Sequence, residues 1–266
     1  MGEVYEALDQ DGNQAAVKLL SAGADEKQAL VERFHRELQI AVTLKSTHIV
    51  RVLGISPPTA EVPYLAMERL HGVDLAALLR ERTRLPFLEL VFMLDQVARG
   101  LEVARFAGVV HRDLKPQNLF LHENTAWKIL DFGVAHVVGR SGTLTGDFII
   151  GTPQYMAPEQ ASGREVTHLA DVYALGAITY RCLTGRTPFV GRDLAALAYQ
   201  VVHAPPVRPS ALGRVSENLE DILAVAMAKD PRRRFQSALE FVQQLFAARD
   251  GRPVKLELPP DAWAAP

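Results

Sequence analysis

The run His111-Arg112-Asp113-Leu114-Lys115-Pro116-Gln117-Asn118 is followed, thirteen residues after Asn118, by Asp131-Phe132-Gly133, and nothing else constrains this 266-residue chain as strongly. It sets a carboxylate, a cation and two hard-oxygen side chains along one short stretch. A transferring phosphoryl group needs such a set, because it spreads negative charge over its oxygens and requires metal ions, a cation and an aimed nucleophile. Asp113 can accept the proton of an attacking hydroxyl. Asn118 and Asp131 offer oxygen ligands suited to Mg²⁺, and Lys115 can neutralise charge beside the moving group. Eight fixed positions recur by chance at roughly one in 10¹⁰ at average residue frequencies, so a merely polar surface turn is a poor account of the run.

Composition narrows the partners. With 29 Lys and Arg against 31 Asp and Glu, the chain has no charge excess to draw it to nucleic acid or to a membrane surface. Hydrophobic residues make up 48%, ample for a core. The single cysteine, Cys182, excludes an internal disulfide framework and fits a reducing cytosol. Its neighbours Tyr180 and Leu183 mark it as a small buried hydrophobe. No apolar run reaches about 18 residues, and no basic-then-apolar leader is visible, so no membrane contact and a cytoplasmic location are expected for this segment.

Hydrophobic periodicity divides the chain into two parts. Val4 to Leu8 and Gln14 to Leu20 alternate around the turn cluster Asp9-Gln10-Asp11-Gly12-Asn13, which predicts a hairpin. Leu30, Phe34, Leu38 and Ala41 recur at helical spacing and predict a helix over 25–44. Further strands are predicted over 49–55 and 64–67. Beyond Leu70-His71-Gly72 the pattern turns helical, with segments at 75–79, 88–107, 167–184, 193–202, 219–227 and 237–248. Short strands are expected at 109–110, 119–121 and 128–130. A cleft between a sheet-rich and a helix-rich part is a natural nucleotide site. Residues 251–266 contain Pro259-Pro260 and a final Pro, and read as a tail or linker.

Together the loop run, Asp131-Phe132-Gly133 and Gly151-Thr152-Pro153-Gln154-Tyr155-Met156-Ala157-Pro158-Glu159-Gln160 resemble the protein kinase family, in its bacterial serine/threonine branch. The resemblance implies an α+β, two-lobed fold over 1–250. Residues 1–70 would form a small antiparallel N-lobe with one helix, lacking its first strand, and 71–250 a larger, mainly helical C-lobe. It implies ATP and Mg²⁺ as cofactors, protein substrates with Ser or Thr acceptors, and a homodimer for trans-autophosphorylation. Lys18, in Ala16-Val17-Lys18, matches the strand lysine that holds the α- and β-phosphates, oriented by Glu37 of the predicted helix. Asp113, Lys115 and Asn118 would be catalytic, with Asn118 and Asp131 holding metal. Backbone groups of Glu68 and Leu70 would bind adenine, Met67 would guard the back of the pocket, and Val4, Ala16 and Phe120 would sandwich the purine. Asp74 matches a ribose contact and equally fits an N-cap for Leu75-Ala76-Ala77. Glu159 and Arg234 would form a buried ion pair, Asp171 would receive backbone N–H groups beneath the catalytic loop, and His111 would stack near Phe132.

The resemblance departs from its pattern at the start. The family covers the phosphates with a Gly-x-Gly-x-x-Gly turn, whereas here Gly2 alone matches, as the third glycine. A fragment or a misplaced start is the expectation, with a short but genuine protein as the alternative. Loss of two charged backbone hydrogen bonds at ~1.5–3 kcal/mol each would lower transfer by roughly two to four decades. A nucleotide-binding pseudokinase or scaffold is therefore the competing reading. Between Asp131 and Glu159 lie Ser141, Thr143 and Thr145, with Thr143 and Thr145 as candidates for autophosphorylation or as plain solvated hydroxyls. Arg112 is the cation suited to a phosphorylated loop residue. By resemblance, Thr152 would bridge Asp113 and Lys115.

Overall fold

The computed structural model describes residues 3–9, 11–19, 42–60, 62–132, 153–260 and 262–264. The first sheet is antiparallel with strand order β1-β2-β4-β3: β1 (Val4–Leu8), β2 (Gln14–Leu19), β3 (Val52–Ile55) and β4 (Tyr64–Glu68). Asp9 closes the β1–β2 turn by accepting the N–H groups of Asp11 and Asn13 at 2.9 and 2.8 Å, the reason a polar Asx cluster sits between two alternating runs. Most of the predicted helix over 25–44 lies outside the described residues.

Chain direction changes at Gly72. A Cβ there would fall 1.9 Å from the Leu121 carbonyl oxygen, and its φ is +147°, so only glycine fits where β5 (Gly72–Asp74) meets β6 (Leu119–His122). β7 (Ala126–Ile129) completes a second antiparallel sheet of order β5-β6-β7. The helical part follows: α1 (Leu75–Arg82), α2 (Phe87–Phe106), α3 (Pro158–Ala161), α4 (Leu169–Thr184), α5 (Leu194–His203), α6 (Glu217–Ala226) and α7 (Ala238–Arg249). Asp74, Asp193 and Ser237 cap α1, α5 and α7 by accepting N–H groups of Ala77, Ala196 and Glu240, which fixes those helix starts.

The core is continuous through this second part. α4 is apolar nearly all round and almost wholly buried, with Tyr173, Leu175, Ile178 and Tyr180 at its centre. α2 is instead two-faced. Leu90, Leu94, Val97 and Leu101 recur at helical spacing and are buried, while Leu88, Phe92 and the Asp95–Arg99 ion pair face outward. Gly100 on α2 matters by what it lacks, since a Cβ would lie 2.9 Å from the His48 carbonyl oxygen. That close approach lets residues 48–50 join β7 through bonds from Ile129 N–H to His48 O and from Val50 N–H to Ile129 O, each 2.9 Å. The two sheets are thereby tied across the lobe boundary. Burial pushes the Cys182 thiol up to about 12, so it stays neutral and unreactive in the native fold.

Two predicted strands differ in extent. The strand predicted over 49–55 begins only at Val52, because 49–50 pair with β7 instead. Val109-Val110 is no strand: Val109 N–H turns back to the Ala104 carbonyl at 2.8 Å and closes the end of α2. At the other end of the chain, Val254, Leu256 and Trp263 pack on the core, and Ala264 N–H donates to Pro206 O at 2.9 Å.

Candidate active site

Register fixes the upper wall. Ala16 lies opposite Met67, and Lys18 opposite both Val4 and Leu65. Opposed residues share a face and side chains alternate along a strand, so Val4, Ala16, Lys18 and Met67 all lie on one face of the first sheet. That face looks across the lobe boundary, because Lys18 Nζ meets Asp131 Oδ1 at 2.7 Å. Met67 is buried and Val4 is 58% exposed, so the wall is closed at its back and open at its front.

The lower wall is built from β5, β6 and the loop before β6. Phe120 sits between Asp74 on β5 and Lys128 on β7 in register. Asp74 Oδ1 accepts the Ala77 N–H at 2.8 Å, so Asp74 is an N-cap, with its second carboxylate oxygen left for another role. Leu70 lies in the connection from β4 to β5. Glu68 spends its backbone N–H on Arg51 O at 2.9 Å, so any adenine contact it makes must come from its carbonyl.

The catalytic loop is held from several sides. Asp171 of α4 accepts the N–H groups of His111 and Arg112 at 2.9 and 3.0 Å. Burial pushes its carboxyl above the usual carboxylate range, while nearby His111 and the two N–H donors pull it back. His111 Nε2 bonds to Leu130 O at 2.8 Å, its Nδ1 accepts from Asp113 N–H at 3.3 Å, and its ring meets Phe132 edge-on at 4.7 Å. Within the loop, Lys115 Nζ lies 2.7 Å from Asp113 Oδ2. Asn118 Nδ2 donates to Asp113 O at 2.8 Å and lies 3.5 Å from Asp113 Oδ2. Leu130 N–H donates to Asn118 O at 2.9 Å, which sets Asp131 beside Asn118. Arg112 and Asp131 both adopt left-handed backbone, at φ +65° and +60°, where non-glycine residues are uncommon and functional loops are over-represented.

Lys18 thus reaches Asp131 across the lobe boundary, and Asp113, Lys115 and Asn118 are joined within the loop; Val4, Ala16 and Met67 share the Lys18 face of the first sheet, while Asp74 and Phe120 pair in the second. Glu37, Gly2, Gly133, Ser141, Thr143, Thr145 and Thr152 lie outside the described residues. Glu68 also has a side-chain role that the sequence did not signal. The Glu68 side chain accepts the Arg51 N–H at 2.8 Å and pairs with Lys128 of β7 at 2.7 Å, spanning the two sheets. Its signal, a lone acid ending an apolar strand, is too common to single out.

The stretch from Asp131 to Glu159, by resemblance the substrate-side segment, is anchored at its far end as the paired motifs imply. Arg234 meets both carboxylate oxygens of Glu159 at 2.7 Å. It also donates to Ala228 O and Leu169 O at 2.8 Å and lies over the Tyr173 ring.

A two-lobed fold with this loop defines the protein kinase class, and comparison with known proteins agrees. The protein kinase domain family matches residues 1–247, and the chain belongs to that family. It is 38% identical over its whole length to a probable serine/threonine-protein kinase of Streptomyces coelicolor, covering 40% of that protein. It is 34% identical over its whole length to the serine/threonine-protein kinase PknA of Mycobacterium tuberculosis, covering 63%. Against PknB of the same organism it is 34% identical over 95% of the chain, covering 42% of PknB. The chain therefore spans about 40–63% of the length of these relatives. Among the described residues no helix is long and apolar enough to cross a membrane.

Proposed function

We propose that this polypeptide transfers the γ-phosphoryl group of ATP to Ser or Thr hydroxyls of proteins, in bacterial signalling. The observation that carries the reading is the meeting of Asp113, Lys115 and Asn118 with the Lys18–Asp131 pair across the lobe boundary. In this reading Asp113 orients the acceptor hydroxyl and receives its proton. Lys115, already at 2.7 Å from Asp113, offsets charge on the group in flight. Lys18 holds the α- and β-phosphates, with Glu37 as its orienting partner. Val4, Ala16 and Phe120 enclose the purine, Met67 closes the pocket behind it, the backbone of Glu68 and Leu70 and the free oxygen of Asp74 take adenine and ribose, and Gly2 reaches the phosphates.

Mg²⁺ fits the donor set. Because Asn118 commits its amide nitrogen to Asp113 O, its Oδ1 is the atom left to ligate, and Asp131 supplies a carboxylate. Among the described residues no cluster of three His, Cys, Asp or Glu could hold a metal alone. Two protein oxygens with the remainder from phosphate and water is how Mg²⁺ is commonly held with nucleotides. When bound, the metal would neutralise charge on the phosphate oxygens.

The same reading places the segment in the cytoplasm, with Thr143 and Thr145 as sites of trans-autophosphorylation in a homodimer and no nucleic-acid partner. A binding-only role is less favoured, because Lys18, Asp113, Asn118 and Asp131 are all present and gathered. The test is transfer of radiolabel from γ-labelled ATP to a generic basic protein. Label should appear on Ser or Thr and disappear when Mg²⁺ is chelated. Nucleotide binding without any label transfer would establish the binding-only role instead.

A further inference from the structure

We infer that Gln160 is a positioning residue for Asp113, fastening the end of the substrate-side segment to the catalytic loop. The proposal rests on the phosphotransfer reading above. Gln160 is 9% exposed and lies on α3 next to Glu159, which Arg234 holds in a buried ion pair. Its Oε1 accepts the Ala157 N–H at 3.1 Å, and its Nε2 donates to the Arg112 carbonyl at 2.7 Å. The amide is thereby oriented at both ends, and neither contact survives a change to an apolar side chain.

The accepting carbonyl is significant. Arg112 holds left-handed backbone at φ +65°, and its carbonyl belongs to the peptide that carries Asp113. Asp171 grips the Arg112 N–H from α4, while Gln160 grips the Arg112 carbonyl from α3. A residue in a sparsely populated conformation keeps it only when its surroundings over-determine it. Without the Gln160 donor, that carbonyl loses its hydrogen bond from α3 and the peptide before Asp113 can rotate. Gln160 spends both ends of its amide on backbone groups, so it acts on Asp113 through the peptide.

Two variants separate the contacts. Gln160→Met keeps volume and removes both. Gln160→Glu keeps the acceptor for Ala157 N–H and removes the donor to Arg112, and restores it only when the carboxyl is protonated. Both variants should lower kcat about tenfold at pH 8, as expected for the loss of the hydrogen bond to Arg112 that they share, with KM for ATP changed less than about twofold. Burial raises a carboxyl pKa, so Gln160→Glu should regain kcat relative to wild type as pH falls toward 6, and Gln160→Met should not. Amide hydrogen exchange over 110–118 should quicken in both variants at pH 8, with the global unfolding midpoint close to wild type. A wild-type kcat in both variants, or exchange over 110–118 unchanged from wild type, overturns the proposal. If the wild-type chain transfers no phosphate, the phosphotransfer reading fails, and the exchange experiment alone decides the role of Gln160.

Discussion

Asp113→Asn is expected to slow phosphoryl transfer by about 10²–10⁴-fold, the usual contribution of a positioned proton acceptor. The substitution preserves shape and keeps an oxygen near Lys115 and Asn118, whose side chains lie within reach of the Asp113 carboxylate. It removes the negative charge that draws the hydroxyl proton. ATP binding should change little, because Asp113 meets neither Lys18 nor Asp131 directly. Initial rates with radiolabelled ATP, set beside a nucleotide-binding titration, check both halves. A rate within tenfold of wild type would remove Asp113 from the chemistry.

The second large effect concerns stability. Arg234→Ala should cost about 3–5 kcal/mol, the penalty for leaving one partner of a buried ion pair uncompensated. Both side chains are essentially inaccessible, at 0% and 4% exposure, and Arg234 also satisfies the carbonyls of Ala228 and Leu169. For a domain of this size that loss is worth roughly 6–20 °C in the melting midpoint. Replacing both partners with apolar residues should cost less than removing the arginine alone, since the stranded carboxylate is gone. Thermal melting of the single and double variants, beside urea denaturation, measures the difference. An Arg234→Ala midpoint within a degree or two of wild type would mean that the pair does not anchor the segment.

The parts of the site that were legible share one property: each lies in a short run whose residue types are dictated by local chemistry. Asp113, Lys115, Asn118 and Asp131 fall within twenty-one positions of His111, so spacing alone implied a common site. Long amphipathic or wholly apolar stretches such as α2 and α4 were equally readable, because burial imposes a period on them. Illegible features depend on which distant groups meet. β5 has three residues, one of them a glycine, too short for any alternation, and exists because β6 pairs with it. Val109-Val110 looks like a strand by composition but serves to close a helix. The Glu68–Lys128 pair joins residues sixty positions apart, and the Gln160–Arg112 bond joins residues forty-eight apart. Neither has a local signature, since a buried glutamine and a surface glutamine are the same letter. At the chain's end, prolines predicted a tail, whereas Val254, Leu256 and Trp263 find apolar partners on the C-lobe.

Convergence of Lys18, Asp113, Asn118 and Asp131 on one triphosphate is tested most directly by a crystal structure with Mg²⁺ and a non-hydrolysable ATP analogue. It predicts a metal about 2.0–2.1 Å from Asn118 Oδ1 and from the Asp131 carboxylate, Lys18 against the α- and β-phosphates, and Asp113 facing the γ-phosphate. A triphosphate bound away from these four side chains, or a metal that meets neither Asn118 nor Asp131, would contradict it.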